Sequence, residues 1–168
     1  MNRDLTRSKN DKKNKKCLNN VCDTRFQVVN AIHTMMQALD EGDATLFANQ
    51  FVEDDGATIL VEALGIRIVG RKSLETFLKN LHEKFRGCTH WEGNVVLNIV
   101  GPHEIRNRSY WKCLGPNGSV RSVGIHEDVF VRSRKTGEWK CRERVILHKN
   151  RPNKKDGDAR PSDRMSKL

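Results

Sequence analysis

Residues 124–145, GIHEDVFVRSRKTGEWKCRERV, constrain the fold of this chain more than any other stretch. His126, Asp128 and Phe130 share one parity, while Val123, Ile125, Val129 and Val131 take the other. A period of two belongs to a β-strand, whose successive side chains point to opposite faces. A polar turn at 133–137 interrupts the pattern, and a second alternating run starts at Trp139, so the stretch reads as a β-hairpin. Two ionisable side chains, His126 and Asp128, share one strand face. Solvent on that face would account for them, whereas a cavity there would make them acid–base candidates.

Upstream, the apolar pattern changes period. Thr24 and Gln27 fit a capping box, in which both side chains satisfy free amides at a helix start. Phe26, Val29, Ile32, His33, Met36 and Leu39 then recur at helical spacing as far as Gly42, which suits a helix stop. Asp43 can cap a second, shorter helix that buries Leu46, Phe47 and Phe51. Residues 57–63 and 66–69 read as strands, and 72–85 as a third helix with Leu74, Phe77, Leu78, Leu81 and Phe85 on one face. After Gly87 the helical period disappears. Four strands follow, at 89–100, 104–114, 119–132 and 138–148, with turn chemistry at 101–102 and 115–118. Strands joined by short loops pair antiparallel, and the helices must cover one of their faces. The expected fold class is α+β: a strongly curved, mainly antiparallel sheet of about six strands forming a cone, packed on three helices, with a central pocket.

The 168 residues suffice for one domain with a core. The formal net charge is +10, but residues 1–20 hold +5 of it and residues 149–168 hold +4. The intervening chain is almost neutral, so a basic groove for nucleic acid is not expected in the fold, although the arms could touch RNA. Residues 1–23 are expected to be a disordered basic arm, 24–148 the ordered domain and 149–168 a second disordered basic tail. The five cysteines (17, 22, 88, 113 and 141) are odd in number and irregularly spaced, and neither a secretory leader nor a membrane-spanning segment is apparent. Reduced thiols inside the cell are therefore expected. Cys17 and Cys22 lack a second ligand pair at finger spacing, and no phosphate loop, nucleophile elbow or His-x-x-x-His pair occurs. Neither a metal nor a cofactor is expected. The chain ends Ser166-Lys167-Leu168, the address read by the peroxisomal import receptor, so the expected location is the peroxisome or a related microbody, reached from the cytosol.

The run MMQALDEGDATLFANQF, the strand CTHWEGNVVLNIVG and the hairpin GIHEDVFVR…GEWKCRERV together resemble the SnoaL-like proteins, members of the cone-shaped nuclear-transport-factor-two-like superfamily. The resemblance covers about residues 24–148. It implies the cone fold, a pocket for a small molecule and self-association through the sheet. Distant similarity to scytalone dehydratase aligns His90, in Cys88-Thr-His-Trp-Glu-Gly93, with a catalytic histidine. It also aligns Asp40 with a helix aspartate and His126 with a pocket asparagine. Leu39 and Val61 stand where that enzyme has tyrosines, and its second histidine has no counterpart, so its particular reaction is not implied.

The candidate catalytic residues are His90, His126, Asp128 and Asp40; Trp91, Trp111 and Phe130 are the candidate substrate-binding aromatics. Histidine suits proton transfer because it changes charge near neutral pH. The expected function is binding of a small apolar or carbonyl-bearing molecule, with cofactor-independent lyase, isomerase or cyclase chemistry by histidine. The alternative is a non-catalytic ligand-binding or dimerising module of the same fold. Val123, Ile125, Val129 and Val131 would leave an apolar outer face that a second copy could cover, so a homodimer is expected.

Overall fold

The computed structural model describes the backbone of residues 4–53 and 56–149, with side chains from residue 22 onward in those ranges. The expected C-terminal tail beyond Lys149, with its targeting tripeptide, lies outside the described residues. The elements run α1 (Asp4–Glu41), α2 (Ala44–Ala48), β1 (Thr58–Val61), a 3₁₀ turn (Glu62–Leu64), β2 (Ile66–Val69), α3 (Arg71–Lys84), β3 (Thr89–Gly101), β4 (Glu104–Leu114), β5 (Val120–Arg132) and β6 (Trp139–His148). Six strands form one sheet in the order β2-β1-β6-β5-β4-β3. Every neighbouring pair is antiparallel except β1 and β6, which run parallel. The helices lie on the inner face of the curved sheet, as the pattern of helices and strands implies.

The first helix departs from expectation. It begins at Asp4 rather than near Thr24, so residues 4–23, expected to be a disordered arm, have helical backbone. Residues 4–20 contain neither Gly nor Pro, and extending a helix that is already anchored by packing costs far less than nucleating one. Thr24 and Gln27 therefore lie inside the helix, where Gln27 Nε2 donates to Asp23 Oδ2 one turn earlier (3.1 Å). The buried stripe is Val28, Ile32, Met35, Met36 and Leu39. Phe26 is 70% exposed and His33 is also exposed, because Val28 and Val29 offer two helical registers and packing selects the first. In α2, Asp43 caps as expected, accepting from Leu46 N at 2.8 Å, and Phe47 and Phe51 are buried while Leu46 is exposed.

The end of α1 is fixed from a second side. His82 of α3 donates from Nδ1 to Leu39 O (3.2 Å), a second bond to a C-terminal helix carbonyl that also accepts from Gly42 N (3.3 Å). Its ring packs on Gly42, whose φ of 75° suits glycine, so closely that a Cβ there would sit 2.8 Å from the imidazole. Together these contacts hold Asp40, the residue after Leu39, over the start of β3.

Irregularities in the long strands bend the sheet and decide which side chains face inward. Gly93 pairs with Tyr110 and Val96 with Arg108, so β3 carries an extra residue, with Asn94 at φ 51°. His90 and Glu92 face inward before this bulge; Val95 and Leu97 face inward after it. In β6, Cys141 pairs with Phe130 and Glu143 with Val129, leaving Arg142 as the extra residue. The inward set accordingly changes from Trp139 and Cys141 to Arg144, Ile146 and His148. On β5, His126, Asp128 and Phe130 all face inward, as their shared parity implies. Trp91, Val96, Tyr110 and Val123 are exposed on the outer face, Val129 and Val131 are half-buried there, and Ile125 is covered. Among the described residues no helix is long and apolar enough to cross a membrane.

Candidate functional site

Between the helices and the inner face of the sheet lies a cavity of about 170 Å³. Its apolar wall comes mainly from Met36, Leu39, Phe77, Leu81, Phe85 and Ile59. Its polar wall consists of His90, Ser122, His126, Arg144 and His148, with Trp111 between them. A few convergent polar groups in an otherwise apolar hollow are the usual make-up of a small-molecule site.

His90 stands where β3 passes the end of α1. Its Nδ1 lies 2.6 Å from Asp40 Oδ1, and its backbone amide donates to Asp40 Oδ1 and Oδ2 at 3.1 and 2.9 Å. The carboxylate thus fixes both the backbone and the ring. An acid in the last turn of a helix opposes the macrodipole, and α1 has no basic residue there to relieve it. Its contacts with His90 are what offset that cost. With Nδ1 engaged, His90 Nε2 has no hydrogen-bond partner among the described residues and is available to a ligand.

A second carboxylate–imidazole pair stands deeper. His126 Nδ1 is 3.1 Å from Glu92 Oε2, although the two atoms are poorly aligned for a hydrogen bond. Both side chains are almost fully buried. Burial, seconded by the Arg144 guanidinium, pushes the His126 pKa down, while Glu92 and Asp128 pull the other way without prevailing. His126 is therefore held neutral. For Glu92, burial alone would raise the carboxyl, but Arg144, His126 and a hydrogen bond from Ser109 Oγ overcome it and hold the pKa at about 2. Trp111 stacks on the His126 ring (centroids 5.5 Å, planes 19° apart) and meets His148 edge-on at 5.1 Å. Gly124 leaves room for that indole: a Cβ there would run into Trp111 and Leu147 O.

Behind the imidazoles, Arg144 donates from Nε to Asp128 Oδ1 (2.7 Å) and from Nη2 to Asp128 Oδ2 (2.9 Å). Asn107 Nδ2 adds a bond to the same Oδ2 (2.8 Å), and Glu92 Oε1 lies 3.6 Å from Nη2. Asp128, expected to be a catalytic candidate facing the pocket, does not line it, because both its oxygens are held in this fork. Two expected aromatics are also corrected. Trp91 lies on the outer face, 59% exposed, with Lys112 Nζ 4.9 Å from its ring centroid. Phe130 is buried in the core without lining the cavity. The cavity brings together His90 with Asp40, His126 and Trp111. The Cys113 thiol is pushed up to about 11 by burial and by Cys88 beside it, which does not suit a nucleophile.

Glu92, Arg144 and His148 are functional candidates that sequence reasoning missed. Glu92 had a signal, being two residues after His90 on the same face. Arg144 and His148 had none, since an unbroken alternation from Trp139 puts them outside, and only the bulge at Arg142 turns them inward. Among the described residues no three His, Cys, Asp or Glu side chains are grouped as metal ligands would be.

The architecture is that of a cone-shaped α+β protein with a ligand cavity closed by helices. Residues 21–145 match the SnoaL-like domain, and the chain belongs to that family. No curated protein matches the sequence. Solved structures share the fold. An NTF2-like protein with a cystatin-like fold from Novosphingobium aromaticivorans superposes with a TM-score of 0.70 at 18% identity, covering 87% of this chain and 90% of its own. LinA gives 0.68 at 19%, covering 86% and 98%. ActVI-ORFA from Streptomyces coelicolor gives 0.62 at 22%, covering 74% and 96%.

The buried pairs make stability depend on pH in one direction. His126 is depressed in the folded state, so the unfolded chain takes up protons preferentially once the pH falls below 6.5. Glu92 falls from 4.5 to about 2 on folding, so its contribution is present above pH 4.5 and disappears as the pH approaches 2. That contribution is about 3 kcal/mol. Denaturant unfolding free energy, measured from pH 8 down to pH 3, should decline below 6.5 and more steeply below 4.5, with Glu92→Gln flattening the lower limb. A wild-type stability that is level from pH 8 to pH 4 would contradict these environments.

Proposed function

We propose that the protein is a cofactor-independent lyase, isomerase or cyclase that moves a proton on a small apolar, carbonyl-bearing molecule. The observation that carries this reading is two imidazoles on one apolar cavity, each with its Nδ1 turned to a carboxylate. A carboxylate at Nδ1 fixes the tautomer, orients the ring and stabilises the charge that appears when Nε2 takes a proton. In this reading His126, held neutral by burial, removes a proton from carbon next to the carbonyl. His90, backed by Asp40 nearer the surface, returns one to a different atom or to a departing group. Trp111 orients His126 through the stacked contact. Geometry of this kind is what general acid–base catalysis requires, and it contributes about 10²- to 10⁴-fold to a rate.

Proton exchange tests the reading without knowledge of the natural substrate. In D₂O the protein should catalyse deuterium uptake at the α-carbon of small cyclic ketones, followed by NMR. His90→Asn and His126→Phe, with folding verified, should each lower that rate about 10²-fold or more. Exchange that persists unchanged in both variants would sink the proposal, and ligand binding without exchange would favour the non-catalytic module.

We further propose peroxisomal import, on the strength of Ser166, Lys167 and Leu168. A fluorescent protein carrying the C-terminal segment should gather in puncta with a peroxisomal marker, and removal of Leu168 should leave it in the cytosol. A cytosolic full-length protein with a free C-terminus would refute this. The exposed Val96, Tyr110 and Val123 support a homodimer through the outer sheet face. Light scattering at micromolar concentration should give twice the monomer mass; a monomer mass would contradict it.

A further inference from the structure

Among the described residues, two that line the cavity carry a buried donor without an acceptor. Glu92 Oε2 and Asn107 Oδ1, which do not line it, are buried acceptors without a donor. Arg144 is 1% exposed and uses Nε and Nη2 on Asp128, but its Nη1 is buried without a partner among the described residues. Trp111 is 7% exposed, and its Nε1 is likewise buried and unpartnered. Buried donors are nearly always satisfied, because leaving one unmatched forfeits its hydration without return. Both residues flank His126, and both line the cavity. Because the lining members of this set are donors and the unpartnered carboxylate and amide oxygens stand behind them, a ligand that completes the wall is one that brings acceptor oxygen.

Charge and size narrow the class. The cluster behind the wall holds one guanidinium against the carboxylates of Glu92 and Asp128, with His126 neutral, so it already carries an excess of negative charge. A second anion would enter against that repulsion, whereas a neutral carbonyl would not. An apolar cavity of about 150 Å³ holds one benzene. The cavity here, at about 170 Å³, therefore suits one ring and excludes fused polycyclic ligands.

We propose that the site takes a neutral, single-ring ketone or enone whose carbonyl oxygen docks on Arg144 Nη1, with Trp111 Nε1 as a second donor. The inference rests on the acid–base reading above and supplies what that reading lacks, a group facing the oxygen as the α-proton leaves. The C–H electron pair then moves into the ring, negative charge grows on the oxygen beside Arg144, and the proton goes to an imidazole. The enol or enolate formed is neutralised when the proton returns, so nothing is oxidised or reduced. Arg144 thereby acts on the reacting atoms as well as holding Asp128.

Equilibrium binding to the full-length protein tests this apart from turnover. Cyclohexanone should bind about tenfold or more tightly than methylenecyclohexane, which has the same shape without the oxygen, and than cyclohexanecarboxylate. Anthrone, a three-ring ketone, should not bind. The infrared carbonyl stretch of ¹³C-labelled cyclohexanone should move to lower frequency on binding than in an apolar solvent. Arg144→Lys keeps a cation for Asp128 but loses the planar fork, so it should abolish the ketone's advantage over methylenecyclohexane. If that variant does not fold, the wild-type infrared shift decides. Equal affinity for the ketone and the hydrocarbon, an unshifted stretch, or tighter binding of anthrone would overturn the proposal. His90→Asn should retain the shift while losing deuterium exchange. Shifted binding without exchange would defeat the acid–base reading and leave the anchor standing; exchange with an unshifted carbonyl would do the reverse.

Discussion

Burial of the Arg144 guanidinium is the constraint to which the inner face of this protein is fitted. A cation that far from water is tolerable only if its charge and its donors are met. Asp128 meets two donors from the neighbouring strand, and Asn107 steadies that carboxylate from the next strand over. Glu92 reaches the same guanidinium from β3, at 3.6 Å, and Ser109 of β4 donates to Glu92. Four adjacent strands are thereby tied through one set of charges. Removing Asp128 alone would leave the arginine with only the longer contact to Glu92 and two donors unmatched, a loss of about 3 kcal/mol. His126 lies beside this cluster, and its neutral form is favoured first by burial and second by the Arg144 guanidinium, against the pull of Glu92 and Asp128.

The two imidazoles occupy different settings in one cavity. His90 sits near the surface on a helix-borne aspartate, and its position depends on how α1 ends: Gly42 allows the turn, and His82 caps Leu39. His126 sits on a rigid strand, walled by Trp111 and backed by a buried acid. Groups that must give and take protons in sequence benefit from such separation, since environment rather than residue type then assigns their roles. Apolar residues of the helices line the space between them.

Most of the architecture could be read from the chain because period-two runs and turn residues survive folding without ambiguity. β2 and β4 occupy the expected residues, and β3, β5 and β6 differ by one at an end. The inward direction of His126 followed from parity. Where the reading stopped, a local irregularity intervened. One extra residue in β6 reverses the parity of Arg144 and His148, and no residue type in that stretch announces it. The inward direction of Asp128 was legible too, but its engagement on both oxygens was not, since its partner lay behind that bulge. Trp91 illustrates a different failure: hydrophobicity suggested a pocket wall, but its parity opposite to His90 puts it outside. The early start of α1 reflects helix extension through polar residues, which hydrophobic periodicity does not register.

The central claim is that both imidazoles turn Nδ1 to a carboxylate and leave Nε2 to the cavity. Nitrogen-15 NMR of histidine-labelled protein at pH 8 reads this directly, because protonated and unprotonated ring nitrogens resonate far apart. The account predicts that His90 and His126, assigned through single substitutions, each carry their proton on Nδ1 and a bare lone pair on Nε2. A proton found on Nε2 of either ring, with Nδ1 bare, would contradict it.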